Sequence, residues 1–312
     1  MRFQLNFDVP EEVLQLNHSN EILLLGSCFS NEMSKKFKEY GFSVRSNPFG
    51  TLFHPMAIAD VLETSLDEGS SVDLFERDGL FFSWDSASKI YSNSLAGVRE
   101  KIHQVRKDTG DAIKNASLLI ITFGTSWGYR HNELNKIVGN CHKAPSSFFT
   151  KELTDVQSMN RRWRILLDRI QVINPDLDVV FTVSPVRHVK DGLIENNRSK
   201  ARLIELTHSL TSNKGPHYFP AYELLIDELR DYRFYSNDLV HPSNETVVYI
   251  WERFKSYALT KDAQRLGEKV FSIRRALAHK SIHPGSPLDL KQSSNAIKSK
   301  EDLMNTNPEV VW

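Results

Sequence analysis

The chain has 312 residues, 40% hydrophobic and 25% charged, with 39 basic side chains balancing 39 acidic ones. Those proportions belong to an ordinary globular protein, long enough for one large α/β domain or two small ones. A formal charge of zero excludes a general pull onto nucleic acid or anionic lipid, and no run approaches the ~18 uninterrupted apolar residues of a membrane span.

In chain order, the opening residues Met1–Asp8 lack the apolar run, roughly 7–15 residues, of an export signal, so the cytoplasm is the expected compartment. The first strong element is Glu21-Ile22-Leu23-Leu24-Leu25-Gly26, an apolar strand (core Ile22–Leu25) that runs into Ser27 and a helical stretch over Asn31–Tyr40 ended by Gly41. A strand over Phe42–Arg45 follows, then a helix over Pro55–Leu66 with apolar residues at Met56, Ala59, Leu62 and Leu66. Ser71–Trp84 reads as a β-hairpin turning at Asp78-Gly79. A helix over Val98–Ala112 leads to the fully apolar strand Leu118–Phe123, and Tyr129–His142 makes a second excursion with Asn135 near its tip. The helix Val156–Ile173 stops at Asn174-Pro175. Strand Val179–Val183, helix Asn196–Leu210, a weaker strand at Tyr218-Phe219-Pro220 and helix Ser243–Leu259 complete the core. Beyond Thr260 the chain becomes more polar, and Ser286–Thr306 reads as a loosely packed tail.

Alternation of short apolar runs with helical patterns predicts an α/β fold: a mostly parallel five-stranded sheet with helices on both faces and β-hairpin excursions. The division expected is a core over residues 1–260 and a partly helical C-terminal extension with a polar tail over 261–312.

Two pieces carry chemistry. Ser27 sits between a strand end and a helix start, where free N–H groups and the helix dipole favour negative charge. A serine there can attack a carbonyl, provided an oriented base is at hand; its plainer role is a helix N-cap. Asp238-x-x-His241 supplies such a base, because a carboxylate three residues away can hold imidazole Nδ1–H and leave Nε2 free. Read without function, the same four residues are a surface turn with an ion pair.

At these residues the chain resembles a family. Gly26-Ser27-Cys28-Phe29-Ser30 is similar to the Gly-Ser-Cys-Phe-Ala signature of the GSCFA family, within the GDSL-like, SGNH-hydrolase superfamily. Asn47-Pro48-Phe49-Gly50-Thr51-Leu52, Gly124-Thr125-Ser126-Trp127, Asn140-Cys141-His142-Lys143, Ser184-Pro185-Val186-Arg187-His188 and Asp238-x-x-His241-Pro242 resemble further blocks in the family's order. The resemblance implies a three-layer αβα fold of flavodoxin-like type, a Ser27–His241–Asp238 triad, and oxyanion donation from the N–H groups of Ser27 and Gly50. It also implies ester chemistry: hydrolysis through an acyl-Ser27 intermediate, small acyl groups such as acetyl on carbohydrate being the expected substrates. A sugar hydroxyl in place of water as acceptor gives an O-acyltransferase, and loss of the rate leaves a glycan-binding or ligand-binding protein on the same fold.

One departure stands out. Most SGNH hydrolases carry a Gly-x-Asn-Asp block whose asparagine amide donates to the oxyanion; here the block is Gly124-Thr125-Ser126-Trp127, with Ser126 at the asparagine position. Losing one such donor costs ~10²–10³ in rate. The alternatives are that Ser126 or Thr125 substitutes, that Asn140 or His142 reaches in, or that the enzyme is slow. Cys28 is a rival nucleophile, yet a neighbour on a helix points about 100° away, so it reads as a small packing residue. His188 with Asp191 forms a second His-x-x-Asp cluster after a strand end, where it would bind substrate, compete with His241 as the base, or sit as a polar loop. Arg187, Lys143, Trp84, Trp127 and Tyr129 are candidates for holding or stacking a sugar, with solvation or rim packing the alternative. Cys141-His142 lacks a second pair to complete a zinc site, and the two cysteines, Cys28 and Cys141, are expected as free thiols; no metal, cofactor, nucleic-acid or membrane partner is expected.

Overall fold

The computed structural model describes Leu5 and residues 7–67, 69–211 and 215–312. The order is β1 Glu21–Gly26, α1 Cys28–Glu39, β2 Ser43–Ser46, α2 Pro55–Leu66, β3 Leu74–Arg77, β4 Leu80–Ser83, β5 Tyr91–Ser92, α3 Leu95–Asn115, β6 Leu118–Phe123, β7 Trp127–His131, β8 Lys136–Ile137 and β9 Phe149–Leu153. There follow α4 Val156–Ile173, β10 Asp178–Val183, α5 Leu193–Thr211, β11 His217–Tyr218, α6 Ala221–Glu223, α7 Asn244–Ala258, α8 Lys261–Ala278 and α9 Pro287–Thr306.

Five parallel strands form the central sheet in the order β11-β10-β6-β1-β2. Read from the other edge this is the doubly wound order 2-1-3-4-5, in which the connections reverse direction between the first and third strands. Here that switch point lies between β1 and β6, whose register sets Gly26 beside Thr122.

Alternation along the strands builds two cores. Leu23 and Leu25 of β1 join Ile121 and Phe123 of β6, packing with Ile58, Trp163 and Leu203 from α2, α4 and α5. Ile22 and Leu24 point the other way, onto Phe29, Phe37, Trp251 and Phe254 of α1 and α7. Both faces are covered, so the central strands β1, β6 and β10 are apolar nearly throughout and the three layers are helix, sheet, helix.

The hairpin expected at residues 71–84 is β3–β4, with Asp78 (φ 53°) and Gly79 (φ 75°) both left-handed, as a two-residue type I′ turn requires. The second excursion is a three-stranded sheet, β8-β7-β9, whose third strand Phe149–Leu153 the sequence pattern did not reveal. Residues 286–306, expected as a loose tail, form the long helix α9 instead. It is capped by Ser286 and packs through Leu303 near Val270 of α8 and Val310. None of the helices among the described residues is long and apolar enough to cross a membrane.

Candidate active site

Ser27 leaves the carboxyl end of β1 and caps α1, its Oγ accepting the Phe29 N–H at 3.3 Å. Gly26 has no alternative at its position: φ is 137°, and a Cβ there would lie 2.1 Å from the Thr122 carbonyl oxygen. The turn is braced from the next loop, since the Gly26 N–H donates to Asn47 Oδ1 (2.8 Å) and Asn47 Nδ2 to Asn31 Oδ1 (2.8 Å). Ser27 is fully buried, at 0% exposure, and its N–H is committed to the Thr122 carbonyl at 3.1 Å.

Asp238 and His241 meet as their spacing suggests. His241 Nδ1 lies 2.7 Å from Asp238 Oδ2, while Asp238 Oδ1 accepts the N–H groups of Val240 (2.9 Å) and His241 (3.0 Å). Leu239 takes a left-handed conformation (φ 57°) to close this turn. Those hydrogen bonds, the His241 N–H first, pull the Asp238 carboxyl down to about 2. With Nδ1 so occupied, the imidazole offers Nε2 as its free nitrogen. The turn is tied to the exit of β10, where the Arg187 N–H donates to the Val240 carbonyl at 3.2 Å.

Among the described residues no hydrogen bond joins Ser27 and His241. A cavity of about 240 Å³ is lined by His241, Ser236, Val186, Phe29 and Cys28, the residue after Ser27. Cys28 is only half-buried, borders this space and packs against the core between α1 and α7; burial pushes its thiol up, away from the thiolate a nucleophile would need.

Several expected oxyanion residues are already occupied. The Gly50 N–H donates to the Asn47 carbonyl at 2.7 Å, and its missing Cβ is explained by Ala87, whose Cβ would stand 2.4 Å away. Ser126 is buried and turns to α5: its N–H donates to Ser199 Oγ (2.7 Å) and its Oγ to the Ser199 carbonyl (3.2 Å). Thr125 Oγ1 shares the same Ser199 hydroxyl at 2.9 Å and accepts the Trp127 N–H at 3.0 Å. His142 is buried in the aromatic seam between the two small sheets, its ring nitrogens facing the Ser83 carbonyl (2.9 Å) and Ser88 Oγ (3.2 Å). Asn140 uses its side-chain oxygen to accept the His142 N–H at 2.7 Å. In this structure the Gly50 N–H, the Ser126 N–H and hydroxyl and both His142 ring nitrogens are engaged within the fold, and Thr125 Oγ1 shares the Ser199 hydroxyl.

The outlying candidates also find partners. Asp191 pairs with Lys151 rather than with His188. Arg187 lies over the rings of Tyr235 (4.5 Å) and Tyr232 (5.0 Å). Trp84 stacks on Phe75 at 3.6 Å, Tyr129 meets Phe149 edge-on at 6.4 Å, and Trp127 lies under Lys151 at 4.9 Å. Lys143 is exposed. Burial pushes the Cys141 thiol up to about 11, and no cluster of three or more metal-ligating side chains occurs among the described residues.

Lys200 is the residue that sequence reasoning missed. Fully buried on α5, its ammonium donates to the Gly124 carbonyl (2.8 Å) and the Ser184 carbonyl (2.7 Å), the first residues past β6 and β10. Burial pushes it down to about 7. The signal was present: Lys200 falls on the apolar stripe with Leu203, Leu206 and Leu210. His188 stands beside it, its N–H donating to Asn196 Oδ1 at 2.9 Å and its ring edge-on to Phe53 at 5.2 Å.

A sequence profile of the GSCFA family matches residues 21–254, from the start of β1 into α7. The chain belongs to the GSCFA family. The GSCFA match takes in Ser27, the Asp238–His241 turn, His188 and Lys200 together. No curated protein matches the chain in sequence. Among solved structures it is similar to a carbohydrate esterase family 3 protein from Talaromyces cellulolyticus, with 11% identity, a TM-score of 0.33, and coverage of 80% of this chain and 99% of that one. It is also similar to an acetyl xylan esterase (Est2A) from the rumen bacterium Butyrivibrio proteoclasticus, with 13% identity, a TM-score of 0.27, and coverage of 86% and 65%.

Proposed function

We propose that this GSCFA protein is a serine ester hydrolase working through an acyl-Ser27 intermediate. The observation that carries the reading is the Asp238–His241 pair at 2.7 Å, with imidazole Nε2 left free beside the cavity that the Ser27 turn borders. In the reaction His241 Nε2 takes the proton from Ser27 Oγ as that oxygen adds to the ester carbonyl carbon. Collapse of the tetrahedral adduct expels the alcohol, which receives the same proton from His241. Water then repeats the sequence on the acyl-enzyme and frees the acid; a sugar hydroxyl in place of water gives acyl transfer. Asp238 holds the tautomer throughout and stays ionised, its carboxyl lying at about 2. A cavity of about 240 Å³ suits a small acyl group, and acetyl on a carbohydrate or another small alcohol is the substrate class proposed.

Because the Ser27 hydroxyl is fully buried, turnover requires a shift of the 236–241 turn that opens Ser27 to substrate and lets Oγ turn from Phe29 to His241. A second reading, a ligand-binding protein without turnover, rests on the committed N–H of Gly50 and hydroxyl of Ser126. A fluorophosphonate probe separates the two. Labelling at Ser27 that is lost in His241→Ala, with hydrolysis of a short aryl ester that Ser27→Ala abolishes, is expected of the enzyme. A folded protein that takes up no label, or a Ser27→Ala variant as fast as the parent, removes the hydrolase reading.

A further inference from the structure

With Ser126 turned toward α5, the end of β6 presents no side-chain donor to the crevice beside Ser27. His188 faces that gap from the next strand. Its Nε2 is buried without a hydrogen-bond partner, and a Cβ placed on Gly124 would lie 3.3 Å from it, so the nitrogen sits directly over the first residue past β6. The backbone fixes what lies near. Phe123 pairs with Val183, so Gly124 follows β6 beside Ser184, about 4.8 Å away in strand spacing. On the β1 side the Leu52 N–H donates to the Gly26 carbonyl (3.1 Å) and the Gly124 N–H to the Phe53 carbonyl (2.8 Å), so Gly124 is tied to the segment that runs on from the Ser27 turn's last strand residue.

The rest of the surroundings hold the ring still. Asn196 anchors its backbone, Phe53 blocks one edge, and Lys200 pins the carbonyls of Gly124 and Ser184 on either side. A buried nitrogen left unpaired in such a setting carries a desolvation cost that a ligand oxygen would relieve.

We propose that His188, through Nε2–H, is the oxyanion donor of this site, filling the role that the Ser126 position has lost. The inference rests on the acyl-Ser27 reading. The proton stays on Nε2 throughout: the group donates a hydrogen bond to the carbonyl oxygen as charge develops there, and His241 alone moves a proton. For this the imidazole must be neutral, since an imidazolium would itself be an acid. Burial, aided by the neighbouring charges of Lys200 and His241 and opposed by Asp191, pushes His188 down to about 4, so the neutral ring prevails at ordinary pH.

The test uses the full chain and p-nitrophenyl acetate, with the parent, Ser27→Ala, His188→Phe and His188→Gln side by side. In His188→Phe kcat is expected to fall by ~10²–10³ with KM within about threefold, because the donor acts only on the developing oxyanion. His188→Gln, which offers an amide N–H, is expected to recover to within about tenfold of the parent. A purely structural role for the ring would not give this split between Phe and Gln. Independently of any variant, ¹⁵N spectra of the parent should show His188 neutral with its proton on Nε2 between pH 6 and 8. Ser27-dependent turnover that survives His188→Phe within about threefold overturns this assignment alone, as does a parent in which Nδ1 carries the proton. Turnover that survives Ser27→Ala unchanged overturns the acyl-enzyme reading, and this assignment with it.

Discussion

Asp238 divides its work between two oxygens. Oδ1 closes the turn by accepting two backbone N–H groups, and Oδ2 holds His241 Nδ1 at 2.7 Å. An amide can do the first task and not the second. In Asp238→Asn the side-chain NH₂ facing Nδ1 favours a lone pair there, so the ring proton moves to Nε2 and the base is lost. We expect kcat to fall by ~10³–10⁴ with KM little changed and the circular dichroism spectrum intact; a loss under about tenfold means that Asp238 is not orienting the base. The pair was legible because everything it needs lies within four consecutive residues. Gly50 and Ser126 were not, because their fates depend on distant partners: Ala87 crowds the one, and Ser199 captures the other. Lys200 was hidden for a related reason, since a lysine reads as solvated until two strand-end carbonyls are found at its ammonium.

At the scale of the element, Ser27 is both the proposed nucleophile and the cap of α1, so one substitution has two consequences. Ser27→Ala removes the hydroxyl that accepts the Phe29 N–H, and we expect a loss of about 1 kcal/mol in urea unfolding; Ser27→Gly should lose only a few tenths from the cap itself. Equal stability of Ser27→Ala and the parent would mean that the 3.3 Å contact caps nothing. Two helices with local start or stop signals, α2 and α4, were read from sequence to their true ends, whereas α1 begins at Cys28, three residues before the Asn31 expected. Pro55 opens α2 after the His54 cap, and Asn174-Pro175 closes α4. Helix α5 begins three residues before its periodicity does, because Leu193 and Ile194 in its first turn are exposed and fall outside any buried stripe. Helix α9 carries a start signal in Ser286-Pro287 but no apolar stripe: only Ala296 and Leu303 are buried along its length, too few to mark a face.

At the scale of the whole molecule, the strand order was legible as a class from alternating runs, while the closure that sets Cys28, next to Ser27, on the same cavity as His241 could not be read from them. The closure is also held by a titratable group. His54 caps α2 by accepting the Met56 N–H at Nδ1 (3.1 Å), which leaves its proton on Nε2, aimed at the Ser126 carbonyl (3.2 Å) past β6. Only the neutral ring serves both partners. Burial pushes it down to about 4, with Arg130 acting the same way against the weaker pull of the Ser126 carbonyl and Glu152. The folded value lies below the ordinary ~6.5, so the unfolded chain takes up the proton first; this stabilisation is complete above pH ~6.5 and declines as pH falls toward 4. Between pH 7 and 4.5 the loss from His54 comes to about 2–3 kcal/mol. Asp60, pushed up to about 6 by burial, works in the opposite direction, so the raw pH curve blends the two. His54→Asn isolates the histidine, because asparagine keeps a capping oxygen and does not titrate. In urea unfolding the variant is expected to lose about 2–3 kcal/mol less than the parent on going from pH 7 to 4.5. Parallel curves for the two proteins would show that His54 is protonated as easily folded as unfolded, and that the link it makes between α2 and the β6 exit does not depend on its charge.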